Sequence, residues 1–220
     1  LGKLRLPMVI RIPYGGGIGA VEHHSESNES YFAHTAGLRV VTVSTTDDAY
    51  WMMQQAIASD DPVVFYEPKR RYHERGVLDL GGANPDLADA PHALDEAVVR
   101  AEGSDVTVLT YGPMVKVALA AAQAAELEDG PSIEVVDLRS LRPLDDETII
   151  GSVRRTHRAV VVDEEWRTLS DSRWVIPSTR STCCRWSRSS PAGAWSPSSS
   201  PPLTRRPSAG SSCRPSACAP

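Results

Sequence analysis

Residues 39–67, RVVTVSTTDDAYWMMQQAIASDDPVVFYE, contain a strand, a helix and a second strand, and their reading sets the fold class. Val40 to Val43 and Val63 to Tyr66 are short β-branched and aromatic runs, which suit a pleated, buried strand. Between them, Thr45-Thr46-Asp47-Asp48 sets a hydroxyl and a carboxylate three residues apart, the spacing that satisfies free amides at a helix start. The helix opened there runs to about Ser59. Asp60-Asp61-Pro62 ends it, because proline lacks an amide hydrogen and restricts the residue before it. Strand, capped helix and strand in this order make a βαβ unit, which requires parallel strands.

The alternation extends in both directions. Met8 to Ile12 reads as a strand ahead of the unit. Beyond it the expected order is strand Val106 to Tyr111, helix Met114 to Leu127, strand Ile133 to Leu138, helix Asp145 to Thr156 and strand Ala159 to Val162. Between these blocks, Lys69 to Glu102 is rich in proline, glycine and charge around Gly81-Gly82-Ala83-Asn84-Pro85 and reads as a connection. The expected class is α/β, in four parts: a first domain over 1–67, a connecting segment over 68–103, a second domain over 104–168, and a tail over 169–220.

The tail differs in kind from the body. It holds fifteen Ser, eight Pro, seven Arg and all four Cys of the 220-residue chain, with Asp171 as its one acid. It has no Lys or Glu but three Trp, a mixture expected when GC-rich coding sequence is read out of frame; the competing reading is a disordered basic linker. Cys183, Cys184, Cys213 and Cys218 lack the usual spacing of zinc ligands. The body reads as an acidic cytoplasmic protein, without cysteine, without a basic run to follow a nucleic-acid backbone, and without an apolar run for a leader or membrane span. The opening Leu1-Gly2-Lys3 has no initiator Met, so the chain reads as cut at its front.

Candidate chemistry gathers in residues 11–34, RIPYGGGIGAVEHHSESNESYFAH. The glycines after a strand could cradle a phosphate, but neither standard fingerprint is present, and a sharp turn beside a pocket explains them better. His23 and His24 are adjacent and cannot both face one metal from regular structure. With Glu22 and His34 they could form a hydrolytic metal site, yet no i, i+4 pair is present. By residue type alone, His24 reads as a hydrogen-bonded structural imidazole.

Six segments in order change that balance: PMVIRIPYGGGIGAVEHHSES, YFAHTAGLRVV, DDPVVFYEPKRRY, GSDVTVLTYG, EVVDLRSLRPLD and VVVDEEWRT. Together they resemble the β subunit of the thiamine-diphosphate-dependent decarboxylating component of 2-oxoacid dehydrogenase complexes. The resemblance implies a partial transketolase-like pyrimidine-binding domain followed by a partial transketolase C-terminal-type domain. It implies pairing with an α subunit as α2β2, the α subunit holding magnesium and the diphosphate of thiamine diphosphate. It also implies a 2-oxoacid substrate whose acyl group passes to a lipoyl arm.

His24, directly before Ser25, matches the family's histidine at the lipoyl entrance. The family's activating glutamate falls before residue 1, so this chain alone is expected to be inactive. Leu6, Met8, Val9, Ala56, Ser59 and Asp61 match positions whose backbone carbonyls hold potassium. Glu67-Pro68-Lys69-Arg70 looks more like branched-chain than pyruvate enzymes; pyruvate is the alternative substrate, and a non-catalytic interface remnant the alternative role. The replaced tail is expected to compromise docking to the lipoyl acyltransferase core.

Overall fold

A computed structural model describes residues 4–78 and 86–164. The centre of the connecting stretch, the four cysteines and the tail lie outside the described residues. The first part contains β1 (Val9–Tyr14), α1 (Glu29–Ala33), β2 (Arg39–Thr42), α2 (Thr46–Ala58) and β3 (Val63–Pro68). The second contains β4 (Val98–Ala101), β5 (Val106–Thr110), α3 (Met114–Leu127), β6 (Ile133–Asp137), β7 (Ser140–Arg142), α4 (Asp146–Thr156) and β8 (Ala159–Val162). No helix among the described residues is long and apolar enough to cross a membrane.

The strands form two four-stranded sheets, ordered β1-β3-β2-β7 and β4-β6-β5-β8. Val63 of β3 pairs with Val9 on one side and Arg39 on the other, both in parallel register. As an interior strand, β3 is buried at all six positions, which explains its continuous apolar reading. Val63 and Phe65 pack with Val41, Met52 and Ala56 beneath α2, whereas Val64 and Tyr66 pack with Tyr14, Ala33 and Val40 on the opposite face. Each fully buried residue of this kind contributes about 1.5–3 kcal/mol. The expected cap forms: the Asp48 amide donates to the Thr45 hydroxyl at 3.1 Å.

Three elements depart from the expectations. α1 is only five residues long, too short for helical periodicity to show. β4 falls inside the stretch read as a connection and pairs antiparallel with β6. β7 leaves the second half of the chain and adds antiparallel to β2 in the first sheet. Strand β1 also runs on to Tyr14, so the glycines begin where it ends.

The passage from β6 to β7 takes two residues, Leu138 and Arg139. Arg139 has φ of 52°, a left-handed conformation costing a non-glycine residue about 1–2 kcal/mol. Its carbonyl accepts from the Thr42 amide at 2.8 Å, and its buried guanidinium donates to Asp48 at 2.9 Å and to the carbonyls of Ala93 and Glu96 at 2.8 and 2.7 Å. The same charge cluster includes Arg100 of β4, which bonds Asp48 and Asp137, and Ser44, whose hydroxyl lies within hydrogen-bonding reach of both carboxylates. One buried network therefore ties α2, the connection, β4 and β6 together.

The two acids respond differently. Burial pushes Asp48 up, but Arg100 and Arg139 with the Thr45 hydroxyl more than reverse it, leaving it below the ordinary range. Burial holds Asp137 above its ordinary value, with Arg100 opposing and the Asp48 charge reinforcing the rise. Replacing Arg100 by Met should cost about 3–5 kcal/mol at neutral pH, since it strips a cation from buried carboxylates. Without Arg100 both folded pKa values rise. Above the unfolded value of about 3.9 the folded chain then binds protons that the unfolded chain does not, so the deficit should narrow as pH falls towards that value. Denaturant melts of both proteins between neutral pH and pH about 4 measure this; a constant deficit would contradict it.

Candidate active site at the converging strand ends

Ligands of α/β proteins bind beyond the carboxyl ends of parallel strands. Here such ends from both sheets meet. β1 ends at Tyr14 and enters the glycine loop, β3 ends at Pro68 and enters Lys69-Arg70-Arg71, β5 is followed by Tyr111-Gly112, and β8 by Asp163-Glu164.

Tyr14 lies at the centre, buried, with its hydroxyl 2.8 Å from Thr42 Oγ1. Its ring meets Tyr66 edge-on at 5.1 Å, and the Tyr66 hydroxyl donates to Asn28 at 2.9 Å. Burial, then the charge of Glu29, pushes the Tyr14 phenol well above its ordinary pKa, so it stays protonated. Gly112, at φ of 53°, faces this hydroxyl so closely that a Cβ would collide with it. That contact seats the turn after β5 on the end of β1.

The loop takes positive φ at Gly15, Gly17 and Gly19 (85°, 86° and 73°), which favours glycine at each. The Gly15 amide donates to the Glu26 carbonyl at 2.9 Å, closing the segment, and Glu22–His24 form a single 3-10 turn. His24 is exposed on that turn, its amide bonded to the Val21 carbonyl at 3.0 Å and its carbonyl accepting from the Lys69 ammonium. The His23 ring lies 4.2 Å from it, centroid to centroid. His34 is exposed at the end of α1. Among the described residues no group of three His, Asp or Glu side chains could hold a metal ion.

The six positions matched to a potassium site lie in neighbouring segments, the approach to β1 and the end of α2. The Leu6 amide donates to the Asp60 carbonyl at 2.9 Å, Met8 accepts from Val63 at 2.8 Å, and Ala56 accepts from Ser59 at 3.3 Å.

Reading the residues missed Lys69, which bonds the His24 carbonyl, Arg70 and Glu164, which lie against Gly17 and Gly15, and the Tyr14–Gly112 contact. A usable signal existed, since each lies at or just past the end of a parallel strand. On the far side of β3, Glu67 binds Arg11 through both carboxylate oxygens and accepts from the Tyr72 hydroxyl at 2.8 Å. Burial and this bond to Glu67 push the Tyr72 phenol up to about 12.

Two families' domains match this architecture: the transketolase pyrimidine-binding domain over residues 1–74 and the transketolase C-terminal domain over residues 95–181. The chain belongs to the transketolase-domain proteins. Its sequence is similar to the β subunits of several 2-oxoacid dehydrogenases. It is 52% identical over 168 residues to the 3-methyl-2-oxobutanoate dehydrogenase subunit beta of Mycobacterium tuberculosis, covering 76% of this chain and 46% of that one. It is also 52% identical over 163 residues to the pyruvate dehydrogenase E1 component subunit beta of Leifsonia xyli, covering 74% and 46%. With the 2-oxoisovalerate dehydrogenase subunit beta of Pseudomonas aeruginosa, identity is 42% over 179 residues, covering 76% and 49%. The chain spans about half the length of these relatives. A solved structure, "Split gene transketolase, inactive beta4 tetramer", shares the fold with a TM-score of 0.57 at 24% identity, covering 73% of this chain and 49% of that one.

The Gly112–Tyr14 contact is testable by a double-mutant cycle. Gly112→Ala should destabilise by about 1–3 kcal/mol through overpacking at a left-handed residue. Tyr14→Phe removes the hydroxyl in its way, so the double variant should be more stable than the sum of the singles by about 0.5–3 kcal/mol. Additive losses in urea unfolding would show that the two residues do not touch.

Proposed function

We propose that this chain is part of the β subunit of a branched-chain 2-oxoacid dehydrogenase, in which His24 moves a proton at the mouth of the active site. The carrying observation is the exposed His24 on a fixed turn where strand ends of two transketolase-type sheets converge. An imidazole suits this task because it titrates close to working pH and can give up and recover a proton at small cost. The branched-chain assignment draws support from the Mycobacterium tuberculosis and Pseudomonas aeruginosa relatives, and pyruvate is the second reading because the Leifsonia xyli relative is equally similar.

Thiamine diphosphate is the cofactor of this reading, but the described residues do not complete a site for it. Tyr14 and Tyr66 are buried and offer no open ring face, Glu29 is buried, and Glu67 is engaged by Arg11 and Tyr72. An activating acid, magnesium and the diphosphate contacts are assigned to sequence outside this chain and to an α subunit in an α2β2 assembly. We divide the chain into a pyrimidine-binding part over 1–67, a connection that ends before β4 and not at residue 103, and a C-terminal-type part from β4 onward, with docking to the acyltransferase core impaired. Potassium is assigned to the carbonyls of Leu6, Met8, Val9, Ala56, Ser59 and Asp61, a donor set suited to a hard monovalent cation.

Fusing residues 1–164 behind the amino-terminal half of the Mycobacterium tuberculosis relative, and adding its α subunit, should yield turnover of 3-methyl-2-oxobutanoate above that of pyruvate. His24→Ala in that fusion should lower kcat by about 10²–10⁴-fold, and the unfused chain should give no turnover. An active His24→Ala protein would refute the role of the imidazole. For potassium, the melting temperature should rise in potassium chloride over tetramethylammonium chloride at equal ionic strength. Identical melts would remove the cation from the proposal.

A further inference from the structure

The glycine loop has a defined shape. Bonds from Gly15 to Glu26, from His24 to Val21 and from the Ser25 hydroxyl to Ala20 close it on itself. Such internal bonds do not fix where the loop stands relative to the rest of the fold.

Its backbone rests on an ion pair formed by the two halves of the chain. Arg70, just past β3, meets Glu164, just past β8, at 3.0 Å, with only 19% and 22% of the two side chains exposed. A Cβ at Gly15 would lie 2.8 Å from Glu164 Oε1, and one at Gly17 would lie 3.3 Å from Arg70 Cδ. Both glycines also hold positive φ, so the loop's close approach to the pair and its turning use the same two residues. Arg70 is further held by Met114 at the start of α3, its Nη2 lying 3.5 Å from the sulfur. Adjacent Lys69 donates to the His24 carbonyl. Tyr14, directly before the loop, feels the charges of both Glu164 and Arg70.

We propose that the Arg70–Glu164 ion pair, with Lys69 beside it, is a clamp that positions the glycine loop and the His24 turn against the second domain. Arg70, Glu164 and Lys69 are positioning residues in this scheme; they act through His24. The arrangement makes the placement of His24 depend on the joint between the two sheets, because either partner of the pair is lost if the joint opens. A mostly buried, charge-assisted pair is strong enough for this, whereas a solvated one is not. The inference rests on His24 being the acting residue.

The test uses the 220-residue chain and reads amide exchange and the His24 Cε1–H resonance, assigned by comparison with His24→Asn. Arg70→Met and Glu164→Gln should each speed exchange of the amides of residues 15–25 about tenfold while β5 and β6 keep their rates. Both should shift the His24 resonance, and Arg70→Lys, which keeps the charge, should return it most of the way. An unmoved loop and resonance would overturn the clamp. So would exchange rising equally in β5 and β6, because the pair would then stabilise the whole domain and position nothing. If the single variants do not fold, the charge swap R70E/E164R must restore both the fold and the slow loop exchange, and failure to do so counts against the pair. The two ideas fail separately: a mobile loop in Arg70→Met with an active His24→Ala fusion keeps the clamp and removes the imidazole's role. An immobile loop with an inactive His24→Ala fusion does the reverse.

Discussion

The buried guanidinium of Arg139 is the interaction on which the rest of the molecule depends. The chain must cross from one sheet to the other within two residues, and the residue that makes the turn also carries the charge that fills the joint. Glycine would adopt that backbone at lower cost. Arginine stands there because Asp48 and the carbonyls of Ala93 and Glu96 converge on one point and need donors. A buried carboxylate without such donors is expensive, so these segments are held together by what each would lose alone.

That joint decides the geometry of the site. With β7 laid against β2, the carboxyl ends of β5 and β8 come up to the end of β1. Gly112 is then pressed on the Tyr14 hydroxyl, and Glu164 reaches Arg70 beneath the glycine loop. His24 is exposed on the turn that follows this loop, bonded to Lys69, while the loop itself lies against Glu164 of the second half. A histidine in a flexible loop has no defined reach, whereas one on a short turn held from below has one.

Much of the fold was legible in the sequence because it is written in local pattern. β2, α2 and β3 follow from β-branched runs, a capping sequence and a proline, each acting within a few residues. α1 was illegible because five residues give no helical period, and β4 because Ala97-Val98-Val99 is a short apolar run between Glu96 and Arg100 and becomes a strand only by pairing with β6. β7 is three residues whose strand character comes from β2. The site was legible in part. His24 stood out only through the likeness of six ordered segments to a known family, since an isolated imidazole has the same composition whether it acts or merely packs.

By itself, the sequence determined the α/β class, the order of the main strands and helices, the need for glycine after β1 and the family to which these segments belong. Those are properties of short windows, where propensity, capping and turn chemistry operate between near neighbours. Only the tertiary structure decided that Arg139 spans two sheets, that Gly112 faces Tyr14, and that Arg70 and Glu164 meet under the loop that carries His24. Those contacts join residues far apart in the chain. Their partners are chosen by strand pairing and burial, which no single window of sequence contains.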